Sequence, residues 1–294
     1  MNNSFDPGVV IVTHEMIVSG LRSLGLRAGD GVIVHSSLKS FGQVQGGPAT
    51  VIAALMEVLT PQGSLLMPSF NHGVPFEEGA PGVYDPRETP TINGAIPDCF
   101  WRMPGVARSL DPTHPVAAWG RNAQRYTQFH HRTLTMGPQS PLGLLQAEGG
   151  YGLLLGVGYH SNTFHHVVEM STGAPCLGYR SEAYPVRLAD GRQVLGRTWG
   201  WREASCPITD RAVYAAQMEA LGLQQVAHIG GCRATCYRLS DGYAVIANLL
   251  NSGYQDAPPC SRCPIRPRTA AQTVLSDWDP LTQRPLPDSI AWQY

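Results

Sequence analysis

Three histidines and one glutamate lie within ten positions of one another, in the stretch HSNTFHHVVEM that begins at His160. If this stretch is helical, His165 and His166 both share a face with Glu169, at spacings of four and three residues. A neutral imidazole can take a proton from a substrate, and a carboxylate on its other ring nitrogen fixes the tautomer. The pattern therefore predicts a histidine–glutamate general-base pair. The spacing leaves the base as either His165 or His166.

A buried strand, GLLLGVG at residues 152–158, leads directly into these histidines. Asn162 or Thr163 is predicted to be the N-cap of the helix that follows. Open α/β folds bind their ligands at the carboxyl ends of the strands, which is where this strand-to-helix transition would lie. The alternative is a capped surface helix whose histidines have no chemical role.

Two further segments carry polar side chains in a similar setting. In VHSSLKSFGQVQGG (34–47), a strand ends at His35, and two serines and a glycine-rich loop follow. Such a turn can offer N–H groups and hydroxyls to an anion such as a pyrophosphate, although it matches no standard nucleotide loop. In ARSLDPTHPVAAWG (107–120), His114 is either a ligand or, by default, a hydrogen-bonded core histidine.

Apolar periodicity along the chain predicts alternating strands and helices. Helices are expected at 14–26, within 46–63, and at 140–150, 210–222 and 241–251, and strands at 31–37, 64–69, 151–157, 224–229 and 234–239. A hairpin is expected at 183–198, with Asp190-Gly191 as its turn. The strand–helix–strand order predicts parallel pairing through a helical crossover. Residues 70–105 lack periodicity and are expected to form a long functional loop.

Composition limits the classes of protein that fit. The chain has 294 residues, 43% of them hydrophobic, with 21 Lys+Arg against 22 Asp+Glu. The chain lacks the excess of basic residues that would favour binding to nucleic acid or to an anionic membrane. No apolar run is long enough to span a bilayer. The seven cysteines, an odd number, and the absence of a signal-like start favour the cytoplasm. We expect one domain over 1–294, with a Pro/Arg-rich tail from about residue 258, as a monomer or homodimer.

Together these segments resemble the aminoglycoside 3-N-acetyltransferase family, antibiotic N-acetyltransferases that do not share the common GNAT fold. The matching runs cover roughly residues 14–250 in the expected order: VHSSLKSFGQVQGGPATVIAALMEVLTPQGSLLMPSF, YDPRETPTINGAIPDCF, ARSLDPTHPVAAWG, SPLGLLQAEGGYGLLLGVGYHSNTFHHVVE and HIGGCRATCYRLSDGYAVI. The resemblance implies an α/β fold with a central mixed β-sheet flanked by helices and long loops covering a cleft. It also implies acetyl-CoA as cosubstrate and direct acetyl transfer to an amine of an aminoglycoside.

The resemblance also assigns roles to particular residues. The family's Thr-x-x-His-x-x-Glu pattern falls on Thr163, His166 and Glu169, which makes His166 the implied base and Glu169 its orienting carboxylate. The segments around the cosubstrate and the thioester correspond to five further residues: His35, Ser36, Ser37, Arg108 and Ser109. An oxyanion would be held near Ser36 and Ser37 or by the Thr163 hydroxyl.

Substrate contacts are expected from His114, His160 and acids of the long loop, chiefly Glu77 and Asp85. An acidic run is often only a solvated surface, but beside a polyamine pocket it would recognise the cationic drug. The chain departs from the family at His160, where many relatives carry an acid, and at Asp111, where many carry histidine.

Three alternatives stay open on the sequence. Ser36 or Ser37 could be a nucleophile activated by His166, although no Gly-x-Ser-x-Gly elbow is present. Four cysteines could form a structural zinc site: Cys232, Cys236, Cys260 and Cys263. No metal ligand is predicted among the catalytic residues. The third alternative is a non-catalytic drug-binding relative, which would not need a base.

Overall fold

The computed structural model describes residues 10–177, 183–198 and 202–266, together with a strand pair at 278–279 and 284–285. Within these residues, the helices are α1 (His14–Ser23), α2 (Pro48–Leu59), α3 (Ala95–Trp101), α4 (Ala123–Thr127), α5 (Pro141–Ala147), α6 (His165–Ser171), α7 (Tyr214–Ala220) and α8 (Leu239–Ser252). The strands are β1 (Ile11–Val12), β2 (Gly31–Ser36), β3 (Gln43–Val44), β4 (Ser64–Pro68), β5 (Ala107–Arg108), β6 (Val116–Gly120), β7 (Tyr151–Leu155), β8 (Ala183–Arg187), β9 (Gln193–Arg197), β10 (Gln224–Ile229), β11 (Cys232–Arg238), β12 (Trp278–Asp279) and β13 (Arg284–Pro285). None of these helices is long and apolar enough to cross a bilayer.

A seven-stranded mixed sheet forms the centre of the fold, in the order β10-β11-β7-β2-β4-β6-β5. Strand β2 lies parallel to both β4 and β7, and the other pairs in the sheet are antiparallel. Helix α2 connects β2 to β4, as the strand–helix–strand order predicts. The predicted mixed α/β architecture is confirmed.

The sheet is buried on both faces. One apolar cluster joins α1, α2 and α3 to one face, and a second joins α4 to α8 to the other. This explains why β2, β4 and β7 are continuous apolar runs rather than alternating ones, since a strand covered on both sides has no solvent-facing positions.

Some sequence expectations need correction. Residues 70–105 are not structureless throughout, because they contain α3, and α7 begins at Tyr214 rather than near 210. Strands β5 and β6 and the short helix α4 were not predicted. The reason for β6 is its composition: VAAWG is short and rich in alanine, which gives no strand signal, and pairing with β4 forms it.

The hairpin β8–β9 forms as predicted, with Asp190 and Gly191 in its loop and Gly191 at φ +88°. The part of the tail beyond residue 266 lies outside the described residues, apart from β12 and β13.

The four-cysteine zinc site is not formed. Cys232 and Cys236 lie in the apolar cluster on the α1/α2 face of the sheet, whereas Cys260 packs against the cluster on the opposite face. The sheet therefore separates the two pairs, and a single tetrahedral ion cannot contact both.

A glycine in β7 leaves room for an aromatic ring that anchors the loop after this strand. A Cβ at Gly152 would lie 2.3 Å from the ring of Tyr237, so the ring packs where any side chain would stand. The Tyr237 hydroxyl accepts a 2.7 Å hydrogen bond from the Asn162 amide. This bond anchors the loop between β7 and α6, which carries the histidine-rich stretch.

Candidate active site

The carboxyl ends of β2 and β7 lie side by side and bring two distant segments together. His35, near the end of β2, is paired in register with Leu154 of β7. Beyond β7, the Thr163 backbone N–H donates to His35 Nε2 at 3.2 Å, and the Thr163 hydroxyl lies 2.9 Å from the same nitrogen. Burial lowers the pKa of His35 to about 3, with a smaller contribution from His165, so the ring is neutral.

Helix α6 begins at His165 with Phe164 as its N-cap, and no side chain caps it. The prediction that Asn162 or Thr163 is the cap is therefore wrong. Both side chains have tertiary partners, because Asn162 bonds to Tyr237 and Thr163 to His35, and Asn162 Oδ1 also accepts the Phe164 N–H at 3.3 Å, one residue before the helix. These contacts fix the loop against the sheet, and the helix begins without a side-chain cap.

One turn of α6 holds a histidine–glutamate pair. His166 Nδ1 donates to Glu169 Oε2 at 2.8 Å, which leaves Nε2 as the ring nitrogen that can take a proton. Burial and the neighbouring His165 lower the pKa of His166 to about 4, against the opposing effect of Glu169. The imidazole is therefore neutral at pH 7, the form that a general base requires.

Glu169 is almost completely buried, and a cation compensates its charge. Arg202 donates to Glu169 Oε1 at 3.0 Å, and the Thr209 hydroxyl donates to the same oxygen. Burial alone would raise the pKa of Glu169, but His166 and Arg202 outweigh it and bring the pKa to about 2. The carboxylate is thus ionised and able to stabilise an imidazolium at His166.

Arg202 links Glu169 to a second acid. One guanidinium nitrogen lies 2.7 Å from both carboxylate oxygens of Asp210, and Asp210 also accepts from the Cys206 N–H at 2.7 Å. Burial would lower the pKa of Arg202, but Glu169 and Asp210 raise it above its usual value. Two carboxylates share one guanidinium, so this group of three carries one net negative charge.

These residues open onto a cleft of about 620 Å³. Five of its lining residues are histidines, and we call it the histidine cleft: His35, His72, His114, His160 and His166. Thr163, Arg202 and Asp210 also line it, and Glu203 provides an exposed acid at its wall. The cleft thus combines a neutral base with lining residues whose net charge is negative.

Comparison with known proteins places this geometry in a family. A family model described as aminoglycoside 3-N-acetyltransferase matches residues 33–251. The prophage-derived aminoglycoside N(3')-acetyltransferase-like protein YokD of Bacillus subtilis is 37% identical over 175 residues, covering 53% of this chain and 64% of that protein. Aminoglycoside N(3)-acetyltransferase VII of Streptomyces paromomycinus is 34% identical over 201 residues, covering 63% and 69%.

The chain belongs to the aminoglycoside 3-N-acetyltransferase family. A crystal structure of aminoglycoside acetyltransferase AAC(3)-IVa in complex with a gentamicin also matches, with a TM-score of 0.69, 27% identity, and coverage of 83% of this chain and 90% of that one. Membership confirms the predicted enzyme class, an acetyltransferase, and with it the predicted acetyl-CoA cosubstrate.

Six residues predicted from the sequence meet at the histidine cleft of this acetyltransferase. Five line it, and Glu169 lies directly behind His166: His35, His114, His160, Thr163, His166 and Glu169. His160 is exposed and His114 is buried against Phe70, with ring centroids 4.9 Å apart. Ser36 and Ser37 follow His35, and the Ser36 hydroxyl is buried without a hydrogen-bond partner among the described residues.

Arg108 and Ser109, predicted near the cosubstrate, do not line this cleft. Arg108 donates to backbone carbonyls of Ser69, Pro86 and Thr89, and its guanidinium lies 4.3 Å from the Trp101 ring. The Ser109 hydroxyl is fully buried and bonds to His130 at 2.8 Å. Arg108 thus holds the long loop against the sheet, whereas the Ser109 hydroxyl contacts His130, and contact of either residue with the cosubstrate stays a prediction.

The two acids predicted for substrate recognition lie elsewhere on the long loop. Asp85 lines a second cleft of about 470 Å³ and pairs with Arg87 and Arg187 at 3.2 and 3.4 Å. Glu77 is exposed. The charge of Asp85 is thus already balanced, whereas Asp210 and Glu203 at the histidine cleft were missed by sequence reasoning.

Replacing Arg202 by methionine is expected to destabilise the fold by about 3–5 kcal/mol, because Glu169 would lose its cation in a buried site. Urea unfolding followed by circular dichroism measures the change. The matched control is Arg192→Met, which breaks an exposed 2.7 Å pair with Asp190 and should change the free energy of unfolding by at most about 1 kcal/mol. Equal effects of the two substitutions would contradict a compensating role for Arg202.

Proposed function

We propose that this chain transfers the acetyl group of acetyl-CoA to an aminoglycoside, at the 3-amine of the 2-deoxystreptamine ring. The observation that carries the proposal is the His166–Glu169–Arg202 arrangement, a neutral imidazole oriented by an ionised carboxylate at the wall of a cleft. The substrate class is supported by the relatives, since the Streptomyces paromomycinus protein is named for N(3) acetylation and the AAC(3)-IVa structure holds a gentamicin.

In the proposed mechanism, both substrates bind before chemistry. His166 Nε2 takes a proton as the substrate amine attacks the thioester carbonyl, and the C–S bond breaks to release CoA thiolate. Glu169 stabilises the imidazolium through the 2.8 Å bond at Nδ1. Positioning the amine beside the base would contribute as much as the proton transfer itself.

The negative charge of the Glu169, Arg202 and Asp210 group suits a cationic acceptor. Asp210 lines the histidine cleft, and Glu203 stands exposed at its wall. An aminoglycoside carries several ammonium groups, and these acids would attract it. Among the described lining residues, Arg202 is the one arginine or lysine that could compete with the drug's ammonium groups for these acids. Its charge is already paired with Glu169 and Asp210.

The serine-nucleophile alternative has less support. The Ser36 hydroxyl is buried and has no hydrogen-bond partner among the described residues, so no base activates it. The Thr163 hydroxyl, one of the groups expected to hold the oxyanion, is within hydrogen-bonding distance of His35 and so already has a partner. A covalent acetyl-enzyme detected by mass spectrometry after mixing with acetyl-CoA alone would favour the serine route.

Acetyl transfer to a panel of aminoglycosides, followed by mass spectrometry of the drug, tests the proposal. We expect acetylation of drugs with a free 3-amine and none when that amine is blocked, with the position assigned by NMR. Acetylation that persists on the blocked drugs would overturn the regiochemistry. Transfer only to unrelated small amines would assign a different acceptor to the same chemistry.

A further inference from the structure

His165 is a buried histidine for which the proposed mechanism has no use. Its side chain is only 4% exposed, and neither ring nitrogen has a hydrogen-bond partner among the described residues. A buried imidazole without partners is unfavourable, because its polar atoms lose water and gain nothing in return. It stands in direct contact with the proposed base, since the centroids of the His165 and His166 rings are 4.1 Å apart, with an angle of 68° between the ring planes.

Three potential metal ligands converge at this point. One donor atom each from His165, His166 and Asp210 lie within 4.8 Å of one another. His165 Nε2 is 3.6 Å from Asp210 Oδ1, which is too long for a hydrogen bond. Tetrahedral zinc with bonds of about 2.0–2.1 Å holds neighbouring ligand atoms about 3.3 Å apart, so the pair already stands near the spacing that a metal requires.

The charge of the surroundings favours a cation despite Arg202. Glu169 and Asp210 together carry two negative charges, and Arg202 supplies one positive charge. A divalent ion would therefore enter a group with net negative charge. Two imidazoles and one carboxylate suit zinc, copper or nickel, and they do not suit magnesium, which requires oxygen ligands in an octahedral arrangement.

We propose that His165, His166 and Asp210 form a binding site for a divalent transition metal such as Zn²⁺, and that the metal inhibits the enzyme. His166 and Asp210 line the histidine cleft, so an ion held there has access from solvent and an open coordination position towards the acceptor. His166 Nδ1 is bonded to Glu169, so the ion takes Nε2. Metal binding is independent of the proposed function, whereas inhibition rests on it, because Nε2 is the atom that would accept the proton.

Binding is tested on the full chain, without an affinity tag and in the absence of substrates. Calorimetry with Zn²⁺ should give one ion per chain, and Co²⁺ should give visible absorption bands without the near-ultraviolet bands of thiolate ligation. The variant His165→Phe keeps the ring and removes both nitrogens, and it should weaken Zn²⁺ affinity by at least about tenfold. Asp210→Asn tests a second ligand independently, and circular dichroism verifies that each variant folds.

The control is His160→Gln, which removes a histidine that lines the same cleft but lies outside the proposed site. It should bind Zn²⁺ like the wild type. Unchanged affinity in both His165→Phe and Asp210→Asn would overturn the site, as would binding that survives in them and disappears in Cys263→Ser. In the acetylation assay, Zn²⁺ should inhibit the wild type and leave His165→Phe active. Stoichiometric binding without inhibition would overturn the inhibitory role alone.

Discussion

Replacing His166 by glutamine is expected to lower kcat by roughly 10²–10⁴-fold, because glutamine cannot take a proton from the attacking amine. The amide can still accept a hydrogen bond, so binding of acetyl-CoA should change little. Steady-state acetylation kinetics measure kcat, and calorimetric titration with CoA measures cosubstrate binding. The residual rate would reflect positioning of the two substrates alone.

Two companion variants make this prediction specific. Glu169→Gln should also lower kcat, by less than His166→Gln, because the imidazole keeps its place but loses the charge that stabilises its protonated form. His160 lines the same cleft without contacting His166 or Glu169 in the described structure. We therefore expect His160→Gln to change KM rather than kcat. A kcat for His166→Gln equal to that of the wild type would remove His166 from the mechanism.

Stability is expected to fall steeply as the pH drops below about 6.5, the ordinary pKa of histidine. Burial lowers the pKa of His35 and of His131 to about 3 in the folded chain, with smaller contributions from neighbouring cations and histidines. A depressed folded pKa gives stability that is present in full above the unfolded pKa and is lost as the pH falls towards the folded value. At pH 5, each such histidine weakens folding by about 2 kcal/mol, a large part of a typical total of about 5–15 kcal/mol.

The measurement is the difference in the free energy of urea unfolding between pH 7.5 and pH 5.0. His131→Gln should reduce this difference by about 2 kcal/mol, since one histidine no longer titrates in the unfolded chain. His228→Gln is the matched control, because His228 is exposed on β10 and should leave the difference unchanged. An unfolding free energy that is the same at both pH values would contradict neutral burial of these rings.

The local chemistry of the site was predictable, because it is encoded within one turn of helix. The His166–Glu169 pair has an i,i+3 spacing that the sequence displays directly. The choice between His165 and His166 was not predictable from spacing, since both positions face Glu169 on an ideal helix. In the structure, His166 contacts Glu169, whereas His165 Nε2 lies 3.6 Å from Asp210 Oδ1.

The partners of this pair were not predictable, because they are distant in sequence. Arg202 meets Glu169 across 33 residues, and His35 meets Thr163 across 128. No periodicity relates such positions. The physical signal that remained was indirect: a glutamate in the apolar surroundings of Val167 and Val168 must find a cation somewhere in the chain.

The separation between Glu169 and Arg202 has a consequence for biosynthesis. A ribosome adding about 5–20 residues per second makes Arg202 roughly 2–7 s after Glu169. During that interval, packing α6 against the sheet would bury a carboxylate without its counter-ion. The nascent chain is therefore expected to keep the histidine-rich helix undocked until Arg202 leaves the ribosomal tunnel, so the active site is completed only some time after β2, β7 and α6 have all been synthesised.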